Sequence, residues 1–179
     1  MKEEHIDIFA NAIRNIFKPK IIKKLEQIIG KELNKSSSPF WHNYYLKGYQ
    51  ITGLNLEGYD LSKLPHKIIK LQKLTHLNLD GNQLTQLPPE IGKLQNLTHL
   101  KLSGNQLTQL PPEIGNLQKL DRLDLEKKQL TQLPPEMGKL QNLTRLYLEG
   151  NQLTQFPKAL LDLNLKIHYY VPRRRKRKG

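Results

Sequence analysis

Cysteine is absent from the 179 residues. No disulfide can therefore hold the fold, and no thiolate can serve as nucleophile or zinc ligand. Long apolar runs are missing as well: none approaches the ~18 consecutive apolar residues of a membrane-spanning helix. The opening segment MKEEHIDIFANAIRNIF is polar and acidic at its start and lacks the apolar core of a secretory leader, so no signal peptide is expected. There is no glycine-rich phosphate loop, and no carboxylate pair stands outside a repeating pattern. These absences argue against an enzyme and against a bound cofactor. They point to a cytoplasmic setting, or a nuclear one in a eukaryote.

Charge is plentiful, with a formal net of +13, but it is unevenly placed. Arg173, Arg174, Arg175, Lys176, Arg177 and Lys178 supply six positive charges at one end. Residues 1–50 contribute +4, which leaves only +3 for the 122 residues between. The body of the chain is mildly basic, so the overall charge alone does not indicate a nucleic-acid binder.

What the chain has in abundance is repetition. The 23-residue stretch LTHLNLDGNQLTQLPPEIGKLQN begins at Leu74 and recurs with substitutions at Leu97, Leu120 and Leu143. One period earlier, from Ile51, the residues Leu54, Leu56, Leu61, Leu64, Pro65, Ile68 and Leu71 fill the same slots. A period in the twenties with leucines arranged as LxxLxLxxNxL resembles the leucine-rich repeat family. The phrase LTQLPPEIGKLQNLTHL is similar to the LxxLPxxIGxL type found in Ras-group leucine-rich repeat proteins, in many bacterial proteins and in the repeat portions of Roco GTPases. The resemblance implies a protein-interaction scaffold, with a small GTPase or signalling protein as one partner class; separately, the chain is expected to be a monomer. Extracellular members often seal their ends with disulfides, which this chain cannot form. Effectors that join helices and such repeats to a ubiquitin-ligase domain share the layout, but their catalytic cysteine has no counterpart here.

Four stretches are expected. Residues 1–50 form a helical and aromatic N-terminal cap, with apolar stripes at Ile6, Phe9, Ile13 and Phe17 and again at Ile21, Ile22, Leu25, Ile28, Ile29 and Leu33. Residues 36–39 read as a turn or linker, followed by an aromatic group of Phe40, Trp41, Tyr44, Tyr45 and Tyr49. An open-ended solenoid needs such a cover, because each repeat buries its core only against neighbours. The alternative is a separate docking element. Residues 51–165 are five repeats, 166–172 a terminal capping strand, and 173–179 a basic disordered tail. The fold class is α/β: a curved right-handed solenoid with parallel strands on its concave face. Two prolines in LPPEIGKL exclude a regular ladder there and predict a bend and a short helical or 3-10 turn on the convex face.

Strand alternation sorts the outward residues into columns. The first is Gly53, His76, His99, Arg122, Arg145 and then His168. The middle column is Asn55, Asn78, Lys101, Asp124, Tyr147 and Tyr170, and the third is Glu57, Asp80, Ser103, Glu126 and Glu149. A basic stripe thus lies beside an acidic one, which suits oriented docking of a charged partner; the alternative is an ordinary solvated face. The candidate partner-binding set is His76, Asn78, Asp80, His99, Lys101, Arg122, Asp124, Glu126, Arg145, Tyr147 and Glu149. His76 and His99 should be neighbours, but they lack a third ligand and face Arg122, so no metal is expected. The repeat from Leu74 and that from Leu120 differ at seven positions, six of them between Asp121 and Lys128, a pattern that drift or a diversified recognition surface would both produce. The slot of Asn82, Asn105 and Asn151 is expected to form a ladder of amides, broken at Tyr59 and Lys128. The tail is compatible with nucleic-acid or anionic-membrane association, with a nuclear-import signal, or with a solvated end.

Overall fold

The computed structural model describes residues 19–31, 33, 35–36, 44–47, 50–161, 163 and 166–168. The expected first helix, most of the aromatic group and the basic tail lie outside them. Among the described residues one eight-stranded sheet runs in chain order: β1 (Lys35–Ser36), β2 (Tyr44–Lys47), β3 (Gln50–Asn55), β4 (His76–Asn78), β5 (His99–Lys101), β6 (Arg122–Asp124), β7 (Arg145–Tyr147) and β8 (Lys166–His168). From β3 onward every pair is parallel, and Leu54, Leu77, Leu100, Leu123 and Leu146 stand side by side in register. Each is at most 1% exposed. Full burial of such a side chain is worth ~1.5–3 kcal/mol, so the leucine rows are the main source of stability.

The strands are only three residues long from β4 to β8 because the chain must turn twice per repeat. Short 3-10 turns return it along the convex side at His66–Lys70, Pro89–Lys93, Pro112–Asn116 and Pro135–Lys139. Pro88, Pro111 and Pro134 are extended, and the second proline of each pair opens the turn, where its missing N–H costs nothing. The solenoid, its parallel strands and its 3-10 turns are therefore as expected. In the last repeat a short helix, α2 (Lys158–Leu161), replaces the 3-10 turn.

At the N-terminal end, α1 (Lys20–Ile29) stops at Gly30, whose φ of 73° is left-handed and whose N–H returns to the Glu26 carbonyl. Ile22, Leu25, Leu33 and Tyr44 join the same buried cluster as the repeat leucines. The apolar stripe is not buried throughout, since Ile28 is 55% exposed. Two details differ from the linear reading. Ser36 belongs to a strand, paired with Tyr45, rather than to a linker. β2 runs antiparallel to β3, so the sheet begins with a reversal before the parallel repeats.

The far end differs too. Arg145 pairs with Lys166, Leu146 with Ile167 and Tyr147 with His168. His168 therefore continues the middle column, and Lys166 stands in the first. Leu146 and its partner Ile167 are 21 residues apart in sequence, two fewer than the repeat period, so counting by 23 overshoots the strand.

Candidate functional site

The outward column is continuous. His76, His99, Arg122 and Arg145 are register partners on β4 to β7, none of them buried. The histidine rings stack with centroids 4.4 Å apart and an interplanar angle of 18°. Their tautomers follow from the threonines beneath. Thr75 Oγ1 donates to the Thr52 carbonyl at 2.8 Å, so its oxygen can only accept from His76 Nδ1, 2.8 Å away. Thr98 does the same, donating to the Thr75 carbonyl at 3.0 Å and accepting from His99 Nδ1 at 2.9 Å. The proton sits on Nδ1 in both rings. Burial and the neighbouring His99 lower the His76 pKa to about 4. Burial also lowers His99, helped by Arg122, Arg145 and Lys101, while Asp121 opposes the change. Both imidazoles are neutral at pH 7. Among the described residues no group of three or more His, Asp or Glu could hold a metal ion.

Beyond the histidines, Arg122 lies over the Tyr147 ring with Cζ 4.6 Å from its centroid. That contact holds the guanidinium flat. Arg122 Nε is buried without a hydrogen-bond partner among the described residues, and Arg145 is exposed.

The other columns are less available than the strand alternation suggested. Asn55, Asn78 and Asp124 each accept, through Oδ1, from the backbone N–H two residues ahead, at 3.0, 2.9 and 3.2 Å. Asn78 Nδ2 also donates to Glu57 at 3.0 Å. These short side chains cap their own strand ends. Asp124, expected on the open surface, is buried at 8% exposure. Asp80 accepts from the Ser103 N–H at 2.7 Å and pairs loosely with Lys101 at 3.9 Å. Burial and then the Asp124 charge nevertheless push its pKa up to about 6, outweighing Lys101. Of the acidic stripe only Asp80 is drawn partly inward; Glu57 and Glu149 stay exposed and Glu126 partly so, while the buried Asp124 belongs to the middle column.

Behind this face runs the amide ladder. Asn82 accepts from Leu61 N–H at 2.9 Å and donates to the Leu56 and Leu79 carbonyls; Asn105 and Asn151 repeat the pattern one and three turns on. Lys128 breaks it as expected. It is 3% exposed, and among the described residues its Nζ reaches only the Glu126 carbonyl, at 3.3 Å. An ammonium has no lone pair for the Leu107 N–H. Desolvation lowers its pKa to about 8 despite Asp80, Asp124 and Glu126. The preceding Lys127 takes φ 53°, a left-handed conformation supplied by glycine at 58, 81, 104 and 150. The glycine spacing carried that signal, which the reading of the sequence did not use.

Lys128→Asn is expected to stabilise the chain by about 1 kcal/mol at pH 7 through the restored hydrogen bonds, with lost attraction to the carboxylates offsetting part. Because the folded pKa lies below the usual 10.5, the neutral lysine is the form the fold prefers. Wild-type stability from this group is complete above pH 10.5 and is lost as pH falls through about 8. The variant's advantage should therefore shrink between pH 8 and 10.5 in denaturant titrations. A variant less stable than wild type at pH 7 would show a repeat adapted to the charge.

Sequence-family comparison matches residues 90–165 to a leucine-rich repeat region and residues 50–107 to a leucine rich repeat. A comparison with curated proteins finds no match. Among solved structures the chain is similar to a Leptospira interrogans LRR protein, with 38% identity over 66% of this chain and a TM-score of 0.59. It spans only 37% of that protein. It also resembles a chain of the BIR3–SERK2 complex from Arabidopsis thaliana, at 28% identity, 75% and 78% coverage and a TM-score of 0.61. Internalin C2 of Listeria monocytogenes is 26% identical, with 65% of this chain and 50% of that one covered and a TM-score of 0.59. Repeat, fold and likeness agree that the chain is a leucine-rich repeat protein.

Proposed function

We propose that the chain is a non-enzymatic module that binds a protein partner across the concave sheet face. The observation that carries this reading is the unbroken outward column from His76 to Arg145, with Tyr147 beside it. Arg and Tyr are frequent interface anchors, and here one is stacked on the other. A related fold appears in the BIR3–SERK2 complex, an assembly of two proteins. The LPPEIGKL phrase adds a small GTPase or another signalling protein as the partner class to try first.

Affinity capture with the full chain tests the reading. Ser103→Trp adds bulk to the concave face without changing charge, and Gln95→Trp does the same on the convex side. Ser103→Trp should weaken capture by about tenfold, equivalent to ~1.4 kcal/mol, while Gln95→Trp leaves it intact. The reverse pattern would move the interface to the convex side.

The six consecutive basic residues at 173–178 support a second reading, association with nucleic acid or an anionic membrane. Nucleic-acid binding of that kind should weaken steeply as salt rises, because phosphate counterions are released on contact. Binding insensitive to salt and to neutralising the tail would exclude it.

A further inference from the structure

The formal charge of the first outward column is of one sign, while the outward acids Glu57, Glu126 and Glu149 stand in the third column. Two carboxylates that could have balanced that charge are occupied elsewhere. Asp124 caps the end of its own strand and is buried, and Asp80 accepts from the Ser103 N–H beside Lys101. Asp121, next in sequence to Arg122, accepts from the Thr144 hydroxyl. Among the described residues neither Arg122 nor Arg145 has an ion-pair partner. The two guanidiniums are register partners on adjacent strands, about 4.8 Å apart at the backbone. Tyr147 supports one of them from its face, and Arg122 Nε is buried with no acceptor among the described residues.

Holding two arginines side by side without a counter-charge is unfavourable in the free chain, and a planar carboxylate relieves it through paired N–H donors. Resting on the concave-face reading, we propose that this face seats an acidic segment of a protein partner, with an Asp or Glu carboxylate bound between Arg122 and Arg145 against Tyr147. The neighbouring His76 and His99 are neutral at pH 7, so the formal charge is concentrated on the two guanidiniums. Such a confined site suits discrete carboxylates rather than a continuous phosphate backbone. Exposed Glu149, two residues beyond Tyr147, marks the edge at which the acidic segment must leave the face.

The test uses the full chain with residues 173–178 changed to Ser, so that the tail cannot capture anions. A displayed library of random twelve-residue peptides is selected on it. The recovered binders should be enriched in Asp and Glu, and their affinity should fall at least about tenfold on Arg122→Gln/Arg145→Gln. Arg122→Lys should not rescue binding, since an ammonium cannot pair with both carboxylate oxygens. Thermal melting of each variant confirms folding. Absence of acidic enrichment, or acidic binders unaffected by the double substitution, would overturn the proposal. Stronger competition by single-stranded DNA than by a glutamate peptide, dependent on the same arginines, would reassign the site to phosphate. Captured protein that is lost with Ser103→Trp but kept with Arg122→Gln/Arg145→Gln would leave the concave interface standing and remove the carboxylate seat alone.

Discussion

Replacing Gly115 with alanine lowers the unfolding free energy by about 3 kcal/mol, near the upper end for overpacking a tight site. A Cβ on Gly115 would lie 2.3 Å from the Glu136 carbonyl oxygen and 2.9 Å from its carbon. Both atoms are backbone of the next convex turn, so no side-chain rotation can relieve the clash. The turns Pro112–Asn116 and Pro135–Lys139 would have to separate, and the strands behind them are tied in register. A Cβ added at Gly92 would likewise lie 2.6 Å from the Glu113 carbonyl oxygen. Gly58→Ala is the control: nothing among the described residues lies within 4 Å of its added Cβ, so it should incur only the cost of a left-handed φ, roughly 1 kcal/mol. Denaturant unfolding measures both. A cost below that of the control would show that the convex turns can part freely.

Asn105→Ala should be nearly as damaging, with a loss of about 3 kcal/mol. The amide is 5% exposed and serves three backbone groups: it accepts from Leu84 N–H at 3.0 Å and donates to the Leu79 and Leu102 carbonyls at 2.8 Å. Alanine leaves all three without that partner inside the solenoid, and each unsatisfied buried group costs ~1–3 kcal/mol before water or relaxation offsets part of it. Asn151 makes the same three bonds but is only partly buried. Asn151→Ala should therefore cost less. Equal losses at the two positions would mean that burial does not set the strength of the ladder.

The repeat made much of this legible. A strict 23-residue spacing places Leu77, Leu100, Leu123 and Leu146 in one buried row without any knowledge of the structure, and the proline pairs announce where the strand must end. The outward column His76, His99, Arg122, Arg145 follows from the same counting, because strand alternation leaves no other direction for those side chains. What counting cannot show is how neighbours use their polar atoms. Asp124 occupies an outward slot, yet its carboxyl turns to the Glu126 N–H and is covered. The Arg122–Tyr147 stack joins residues of adjacent strands and different columns, which a column reading separates. At the last strand the period itself fails, since two missing residues shift Lys166 and not His168 next to Arg145. The reversal at β2 was hidden for a related reason: residues before Ile51 carry no repeat from which a register could be counted.

Site-specific photocrosslinking tests the central claim most directly. A benzophenone side chain placed at Ser103, on the concave face, and at Gln95, exposed just after a convex turn, reports which surface touches the captured partner. The account predicts a partner adduct from position 103 and none from position 95. An adduct from position 95 alone would contradict it.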